Sequence, residues 1–208
     1  MKELNLFPDK NFWDGKNVFI SGHSGFKGGW LSLWLKELGA NVTGYSLEPN
    51  TKPSFYNACD IGSVTNSIFG NILDYKKLES SINKFKPEII IHMAAQALVL
   101  ESYKNPLNTY ETNIIGTLNI LEIIRNKSYV KVFINVTSDK CYENIEKKYS
   151  YKESDRMGGH DPYSSSKGCS ELVTSAYRLS FFNKKNNSSS CTSIASARSG
   201  NVVGGGDW

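Results

Sequence analysis

A tyrosine and a lysine stand one helical turn apart in the run Tyr163-Ser164-Ser165-Ser166-Lys167. In a helix this spacing places both side chains on the same face. A phenol with its ordinary pKa of about 10 is a poor base at neutral pH, but a neighbouring ammonium favours the phenolate. The pair is therefore a candidate centre for removing a proton from a substrate hydroxyl. The same spacing on its own is common and usually marks two surface residues.

A hydroxyl, a carboxylate and an amine follow one another in Ser138-Asp139-Lys140, directly after an apolar run that predicts a strand. Ligands bind at the carboxyl ends of strands in open α/β sheets, so these side chains are expected to face a cleft. Together they can bind a substrate hydroxyl and transfer two further protons. The alternative interpretation is a capped turn with Asp139 and Lys140 in solvent.

A glycine-rich turn follows the first predicted strand, with the glycines spaced three residues apart. Such a turn lets the backbone approach a pyrophosphate, whose charge is met by the free N–H groups of the next helix. A strand before the turn and a helix after it favour dinucleotide binding over a plain structural loop. The candidate cofactor-binding residues in this turn are Gly22, His23, Gly25, Phe26, Lys27 and Gly28.

Two later segments bear on the cofactor. The end of the second strand, Tyr45-Ser46-Leu47, offers neither an acid for a ribose 2′-hydroxyl nor an arginine for a 2′-phosphate, so the spacing leaves both NAD and NADP open. After a third strand, the small side chains of Ala94 and Ala95, followed by Gln96, leave room for a cofactor close to the backbone. We interpret His92, at the end of that strand, as a packed core histidine.

Apolar strands alternate with helical patterns along the chain. Strands are predicted at residues 18–21, 41–47, 88–92, 130–137 and 192–199, and helices at 30–38, 75–85, 106–125 and 163–182. This alternation predicts the α/β class, with a Rossmann-like, doubly wound parallel sheet covered by helices on both faces. Residues 49–67 show no clear period, and the polar run at 183–190 predicts a surface loop.

Composition excludes several classes of protein. The 208 residues are enough for one large domain, and a net charge of +4 is too mild to indicate nucleic-acid binding. No apolar stretch reaches the length of a membrane span, and the first ten residues do not predict a signal peptide. Four widely spaced cysteines predict free thiols in a reducing cytoplasm and no metal site.

The glycine turn, His92-Met93-Ala94-Ala95-Gln96, and Tyr163 with Lys167 resemble the extended short-chain dehydrogenases that act on nucleotide sugars, the NAD-dependent epimerase/dehydratase family. Within that family, the glycine turn and residues 138–144 and 200–208 are similar to the CDP-glucose 4,6-dehydratases. The related dTDP- and GDP-sugar dehydratases typically carry glutamate at the position of Lys140, which separates these subfamilies.

The resemblance implies a lyase that uses bound NAD as a catalyst and CDP-glucose as substrate. Tyr163, assisted by Lys167 and Ser138, would remove the proton of the glucose 4-hydroxyl while hydride leaves carbon 4 for NAD. Asp139 and Lys140 would manage loss of water across carbons 5 and 6, in acid and base roles that stay open. Return of hydride to carbon 6 would then give a 4-keto-6-deoxy sugar without net redox change. The resemblance also assigns Asn71, Ile72, Tyr163 and Lys167 to the cofactor and Ser138 and Asn201 to the substrate. It implies a homodimer as well.

The resemblance also predicts how the chain is organised. We expect residues 1–208 to form the NAD-binding catalytic domain, with residues 1–14 as an N-terminal extension and without the smaller C-terminal substrate domain. Such a chain is expected to bind NAD weakly and to turn over little sugar nucleotide. Two alternatives remain: an epimerase or reductase of the same superfamily, which needs no Asp139–Lys140 pair, and a non-catalytic NAD-binding fragment. Asn71 replaces a usual aspartate, and the choice of cytidine depends on the resemblance alone.

Overall fold

A computed structural model describes residues 8–183 and 192–208. The strands of this part of the chain are β1 (Asn17–Ser21), β2 (Asn41–Ser46), β3 (Asn66–Phe69), β4 (Ile89–His92), β5 (Val132–Val136) and β6 (Ser193–Ala197). Its helices are α1 (Lys10–Trp13), α2 (Phe26–Glu37), α3 (Phe55–Ala58), α4 (Ile61–Val64), α5 (Tyr75–Phe85), α6 (Val99–Lys104), α7 (Pro106–Tyr110), α8 (Gly116–Ile124) and α9 (Pro162–Ser180). A π-helical segment, Glu111–Ile115, joins α7 to α8, and a 3₁₀ turn, Asp139–Cys141, follows β5.

The six strands described form one parallel sheet in the order β3-β2-β1-β4-β5-β6. Alternate residues of a strand point to opposite faces, and both faces of this sheet are covered. In β1, Phe19 joins an apolar cluster that includes Leu78 of α5 and Ile120 of α8. Its neighbours Val18 and Ile20 join a second cluster with Leu35 of α2. The predicted α/β class and doubly wound sheet are confirmed.

Local chemistry explains where the helices begin and end. Asp74 accepts a hydrogen bond from the backbone of Lys77 at 3.1 Å and so caps α5. Gly39, with φ of +89°, follows the end of α2, where the left-handed conformation favours glycine. Pro106 opens α7 at a position where its missing N–H has no helical acceptor. The predicted helix over 106–125 is continuous, although a π-helical segment interrupts its α geometry.

The segment without a clear period contains more structure than the sequence indicates. Residues 49–67 include α3, α4 and the start of β3. β3 is a sheet edge, half-buried and beginning with Asn66 and Ser67, so its apolar signal is weak. The predicted loop at 183–190 lies outside the described residues, apart from Asn183.

The strand order determines where a ligand can bind. Along the sheet, β1 lies between β2 and β4, and the chain order reverses between β1 and β4. Crevices in open α/β sheets lie at such a switch point, beyond the carboxyl ends of the strands. The glycine turn follows β1, Ala94 follows β4, Ser138 follows β5 and Asn201 follows β6. All the sequence-predicted chemistry therefore meets at one edge of the sheet.

Within residues 8–183 and 192–208, no helix is both long and apolar enough to cross a membrane. The same residues contain no group of three or more His, Cys, Asp or Glu side chains placed to hold a metal ion.

Candidate active site

The three glycines of the turn occupy three different environments. Gly22 has φ of +83°, and a Cβ added there would lie 2.7 Å from the backbone nitrogen of Ala94. A Cβ on Gly28 would lie 2.1 Å from the carbonyl oxygen of Gly22, so this glycine allows α2 to pack against the turn. A Cβ on Gly25 would meet only the Gly22 oxygen, at 3.5 Å. These environments match a tight turn, a close helix contact and an open position for a ligand.

The N-terminus of α2 has uncapped N–H groups and partial positive charge. Gly25 occupies the N-cap position and provides no side-chain hydrogen bond, so no side chain caps the first N–H groups of the helix. The helix dipole adds partial positive charge there, and the exposed Lys27 stands in the first turn. The ring of Phe26 packs edge-on against Phe55, with 6.2 Å between the ring centres.

The side chain of His23 is buried behind the turn. Its Nδ1 lies 3.0 Å from the hydroxyl of Ser46, and its Nε2 lies 3.0 Å from the hydroxyl of Ser67. Burial lowers the pKa of His23 to about 4, so the ring is neutral at pH 7. The side chain therefore joins the end of β2 to β3. The ring is engaged by these two serines, so a cofactor contact of His23 stays a prediction for its backbone.

Tyr163 and Lys167 lie together near the start of α9. Asp161 caps this helix by accepting a 2.9 Å hydrogen bond from the backbone of Ser164. Tyr163 and Lys167 are buried, and the Lys167 Nζ lies 6.0 Å from the centre of the Tyr163 ring. Burial raises the pKa of Tyr163, and a hydrogen bond with the side chain of Ser138 partly opposes this effect.

The start of α2 and the start of α9 are close enough for their lysines to interact electrostatically. Burial, and then the positive charge of Lys27, lower the pKa of Lys167 to about 8. Lys27 lies in the first turn of α2, whereas Lys167 belongs to α9. A cofactor phosphate or another anion between them would relieve the repulsion between these two ammonium groups.

A chain of buried hydrogen bonds connects the end of β1 to α9. Ser21 at the end of β1 contacts His92 Nδ1 at 2.6 Å, and His92 Nε2 contacts the Thr117 hydroxyl at 3.1 Å. Thr117 in turn contacts the hydroxyl of Ser170 on α9 at 3.0 Å. Burial, and then the charge of Lys167, lower the pKa of His92 to about 3. The ring is therefore neutral, which agrees with the interpretation of His92 as a core residue.

Asn113, in the π-helical segment, forms a second connection. Its side chain accepts a 2.9 Å hydrogen bond from the backbone N–H of Gln96 and donates to the Gln96 carbonyl at 3.1 Å. The same amide donates to the hydroxyl of Ser166 at 2.8 Å. Asn113 therefore joins the loop after β4 to the residue directly before Lys167. Neither Asn113 nor Thr117 stands out in the sequence, because nothing local marks an asparagine or threonine whose partners lie on other elements.

The turn after β5 combines both interpretations of its sequence. Ser138 accepts a hydrogen bond from the backbone of Lys140 at 3.2 Å and donates to the carboxylate of Asp139 at 3.1 Å. Ser138 is buried next to Tyr163, whereas Asp139 and Lys140 are exposed. Asp139 and Lys140 line a cavity of about 810 Å³. The segment is thus a capped turn whose side chains border a ligand-sized space.

The same cavity has walls that the sequence did not predict as part of a site. They include Tyr142, Tyr151, His160 and Ser164. Residues 142–161 are mostly irregular, so no strand or helix pattern aligns them with α9. Their approach to Asp139 is a property of the tertiary structure.

The remaining predicted residues lie around this edge with different surroundings. Asn71 uses its side-chain oxygen to accept from the backbone of Leu73 at 2.9 Å. Ile72 is buried against Gly116, and a Cβ added to that glycine would lie 2.7 Å from the Ile72 side chain. Ala95 is half-buried and Asn201 is exposed. Their roles toward cofactor and substrate stay predictions.

The family model described as GDP-mannose 4,6 dehydratase matches residues 19–201. A CDP-glucose 4,6-dehydratase from Salmonella typhimurium is 54% identical over 96% of this chain and 56% of its own length. A UDP-glucose 4-epimerase from Thermotoga maritima, solved with UDP-glucose, is 26% identical with a TM-score of 0.71, over 79% of this chain and 52% of that one.

A dTDP-glucose 4,6-dehydratase from Bacillus anthracis, solved in complex with NAD, has a TM-score of 0.66 at 24% identity, which shows the shared fold. That match covers 80% of this chain and 52% of the other. The chain thus spans about half the length of the relatives that it matches. The family model extends from β1 past β6 and includes every element that contributes to the site. The chain belongs to the GDP-mannose 4,6-dehydratase family.

Proposed function

We propose that this chain carries the cofactor-binding and catalytic groups of a CDP-glucose 4,6-dehydratase that uses NAD. The observation that carries the proposal is the meeting of Tyr163, Ser138 and Asp139 beside Lys140, at the edge of the sheet where the glycine turn lies. The 54% identity to the Salmonella typhimurium CDP-glucose 4,6-dehydratase supports the choice of reaction and of cytidine.

The residues present suit a dinucleotide. Gly25 leaves open space at an uncapped helix N-terminus, where a pyrophosphate can approach the backbone. The small side chains of Ala94 and Ala95 leave room for a cofactor beside the loop after β4. Lys27 and Lys167 supply positive charge. NAD, when bound, would take hydride from carbon 4 of the sugar and return it to carbon 6. The chain's own residues orient the two ligands and move the protons.

Tyr163 is the group suited to accept the proton of the sugar 4-hydroxyl. Burial raises the pKa of Tyr163, so the phenol needs positive charge nearby to act as a base. Lys167 supplies part of that charge, and a bound nicotinamide cation would add to it. Ser138, hydrogen-bonded to the phenol, can hold the same substrate hydroxyl.

Asp139 and Lys140 are suited to the loss of water. A ketone at carbon 4 acidifies the hydrogen on carbon 5, and elimination then needs one base and one acid near carbons 5 and 6. Both side chains border the cavity next to Tyr163 and are accessible to a ligand. Either residue can take either role. A carboxylate or a neutral amine accepts a proton, whereas a carboxylic acid or an ammonium donates one.

Replacing Lys140 with methionine is expected to stop the elimination of water. The change keeps the length of the side chain but removes its proton-transferring group. The rate of formation of the 4-keto-6-deoxy sugar should fall about a hundredfold or more, the usual range for removal of a general acid or base. Because the chain is expected to turn over little sugar nucleotide, this rate is measured in a single turnover over hours. Formation of the new carbon-6 methyl group is followed by ¹H NMR with stoichiometric protein, CDP-glucose and saturating NAD.

The Lys148→Met variant, which changes an exposed lysine in the following loop, serves as the matched control and should react like the unchanged protein. An epimerase would show no methyl signal in either protein but would form the 4-epimer of the sugar at equal rates in both. A non-catalytic NAD-binding protein would bind NAD and convert no sugar nucleotide. Either result would contradict the proposed dehydratase.

We also propose that the chain pairs with a second copy of itself. Exposed apolar side chains lie on α6, α7 and α9, and both α6 and α7 pack against α9. They are Leu100, Tyr103, Leu107, Leu172 and Leu179. Exposed apolar side chains on neighbouring helices are typical of an isologous dimer interface. The free thiols of Cys59, Cys141 and Cys169 support a reducing cytoplasm as its location.

Replacing both Leu107 and Leu172 with glutamate is expected to convert the dimer to a monomer. These residues are 70% and 59% exposed, so the charges are tolerated in the monomer but not across an apolar interface. Sedimentation velocity measures the change in mass. Trp34→Glu, on an exposed position of α2, is the control and should leave the dimer intact. A wild-type monomer at tens of micromolar would refute the proposed pairing.

A further inference from the structure

Arg198 and Glu171 form a well-shielded ion pair that the proposed chemistry does not use. The Arg198 Nε lies 3.1 Å from Glu171 Oε1, and its Nη2 lies 3.1 Å from Oε2, which is a bidentate geometry. The side chains are 19% and 5% exposed, respectively. Burial by itself would raise the pKa of Glu171, but hydrogen bonds from Arg198, Thr137 and Ser196 outweigh it and lower the pKa. The pair is therefore fully ionised at neutral pH.

The remaining nitrogen of Arg198 reaches the wall of the cavity. Its Nη1 donates a 2.9 Å hydrogen bond to the hydroxyl of Tyr142, and its guanidinium carbon lies 5.0 Å from the centre of that ring. The Tyr142 ring stacks on Tyr151, with 4.8 Å between the ring centres and 4° between their planes. Both tyrosines line the cavity that Asp139 borders.

Glu171 connects this wall to the catalytic groups. It lies one helical turn after Lys167 on α9, and its charge opposes the lowering of the Lys167 pKa. It also accepts a hydrogen bond from Thr137, which directly precedes Ser138. The ion pair thus joins α9, the end of β5, the end of β6 and the tyrosine stack.

We propose that Arg198 and Glu171 are positioning residues that hold Tyr142 and Tyr151 as a rigid wall of the cavity, and that this wall sets the affinity for the sugar part of the substrate. The apolar faces of aromatic rings suit the C–H faces of a pyranose, and a wall fixed before binding lowers the entropy lost on binding. The assignment of the sugar rests on the proposed function, whereas the positioning of the tyrosines does not.

The test uses Arg198→Lys, which keeps the positive charge beside Glu171, so the buried carboxylate is not left unpaired. Lysine lacks the planar fork and cannot make the bidentate contact and the Tyr142 contact together. Tyr142→Phe removes only the hydroxyl that accepts from Arg198. Arg178→Lys, at an exposed position of α9, the helix that carries Glu171, is the matched control.

Two readouts are needed, both independent of turnover. In protein labelled with ¹³C-tyrosine, the ring resonances of Tyr142 and Tyr151 report their stacking, and Tyr163 serves as an internal reference. Affinities for CDP-glucose and for NAD are measured separately by calorimetry. We expect Arg198→Lys and Tyr142→Phe to shift the Tyr151 ring resonances. CDP-glucose should bind about tenfold more weakly and NAD within about twofold of the unchanged protein.

Tyrosine resonances of Arg198→Lys identical to those of the unchanged protein would overturn the positioning role. Shifted resonances with unchanged CDP-glucose affinity would overturn the link to the sugar. If the unchanged protein binds NAD but not CDP-glucose, the proposed substrate is wrong and the sugar role falls with it. The NMR result then still decides whether the ion pair holds the tyrosines.

Discussion

Replacing Gly25 with alanine is expected to weaken NAD binding about a hundredfold with almost no change in stability. The backbone of Gly25 is extended, at φ of −79° and ψ of 167°, which alanine adopts without strain. Its added Cβ meets only one protein atom, at an ordinary distance of 3.5 Å, so the free energy of unfolding should change by less than about 0.5 kcal/mol. The methyl group instead fills the space in which a pyrophosphate would approach the helix N-terminus.

Calorimetric titration with NAD and urea unfolding measure the two quantities on the same samples. Gly205→Ala is the control, because a Cβ at that position has no atom within 4 Å. Gly28→Ala should differ from both, since its Cβ would stand 2.1 Å from the Gly22 oxygen and must destabilise the fold. Unchanged NAD affinity in Gly25→Ala would show that the turn is structural only.

Replacing Tyr163 with phenylalanine is expected to lower the rate of sugar oxidation about a thousandfold, within the range for loss of a general base. The ring is buried and its packing is retained, so the protein should stay folded and NAD affinity should change little. Product formation with stoichiometric protein and CDP-glucose measures the loss. Tyr75→Phe, at a 37% exposed position of α5, controls for the removal of a hydroxyl.

The pH dependence of the unchanged protein should identify the same phenol. Burial raises the pKa of Tyr163, so the phenolate fraction and the rate should rise with pH from neutrality. Lys167, whose pKa burial lowers to about 8, loses its charge above that pH and then helps the phenolate less. Lys27 acts in the same direction as burial on Lys167, whereas Glu171 and Cys141 oppose it. The rise should therefore flatten above about pH 8, and a rate that falls from pH 6 to 8 would contradict a tyrosine base.

The fold was largely predictable because its signals are local. β4 is buried along its whole length and appears as a continuous apolar run. Asp74, Gly39 and Pro106 mark the ends of helices by their own chemistry. β3 escaped prediction because an edge strand needs less apolar surface than a central one. The π-helical segment escaped because its geometry depends on packing against α9 rather than on composition.

The site was predictable only in part, for a related reason. Glycine spacing and the Tyr163–Lys167 interval are short-range patterns with a known physical use, and the sheet order brings them together. Asn113 and Arg198 act through partners that are distant in sequence, and no single-sequence pattern indicates such contacts. His23 shows the opposite case, since its position in the turn suggests the cofactor whereas its ring is directed into the protein.

The central claim is that the turn after β1 holds a pyrophosphate so that the nicotinamide lies beside Tyr163. A crystal structure of this chain with NAD tests it most directly. We predict phosphate oxygens in hydrogen-bond contact with the N–H groups at the start of α2, and the reactive nicotinamide carbon facing a space about 3.5 Å from the Tyr163 hydroxyl. NAD bound away from the turn, or a nicotinamide on the far side of the sheet from Tyr163, would contradict the account.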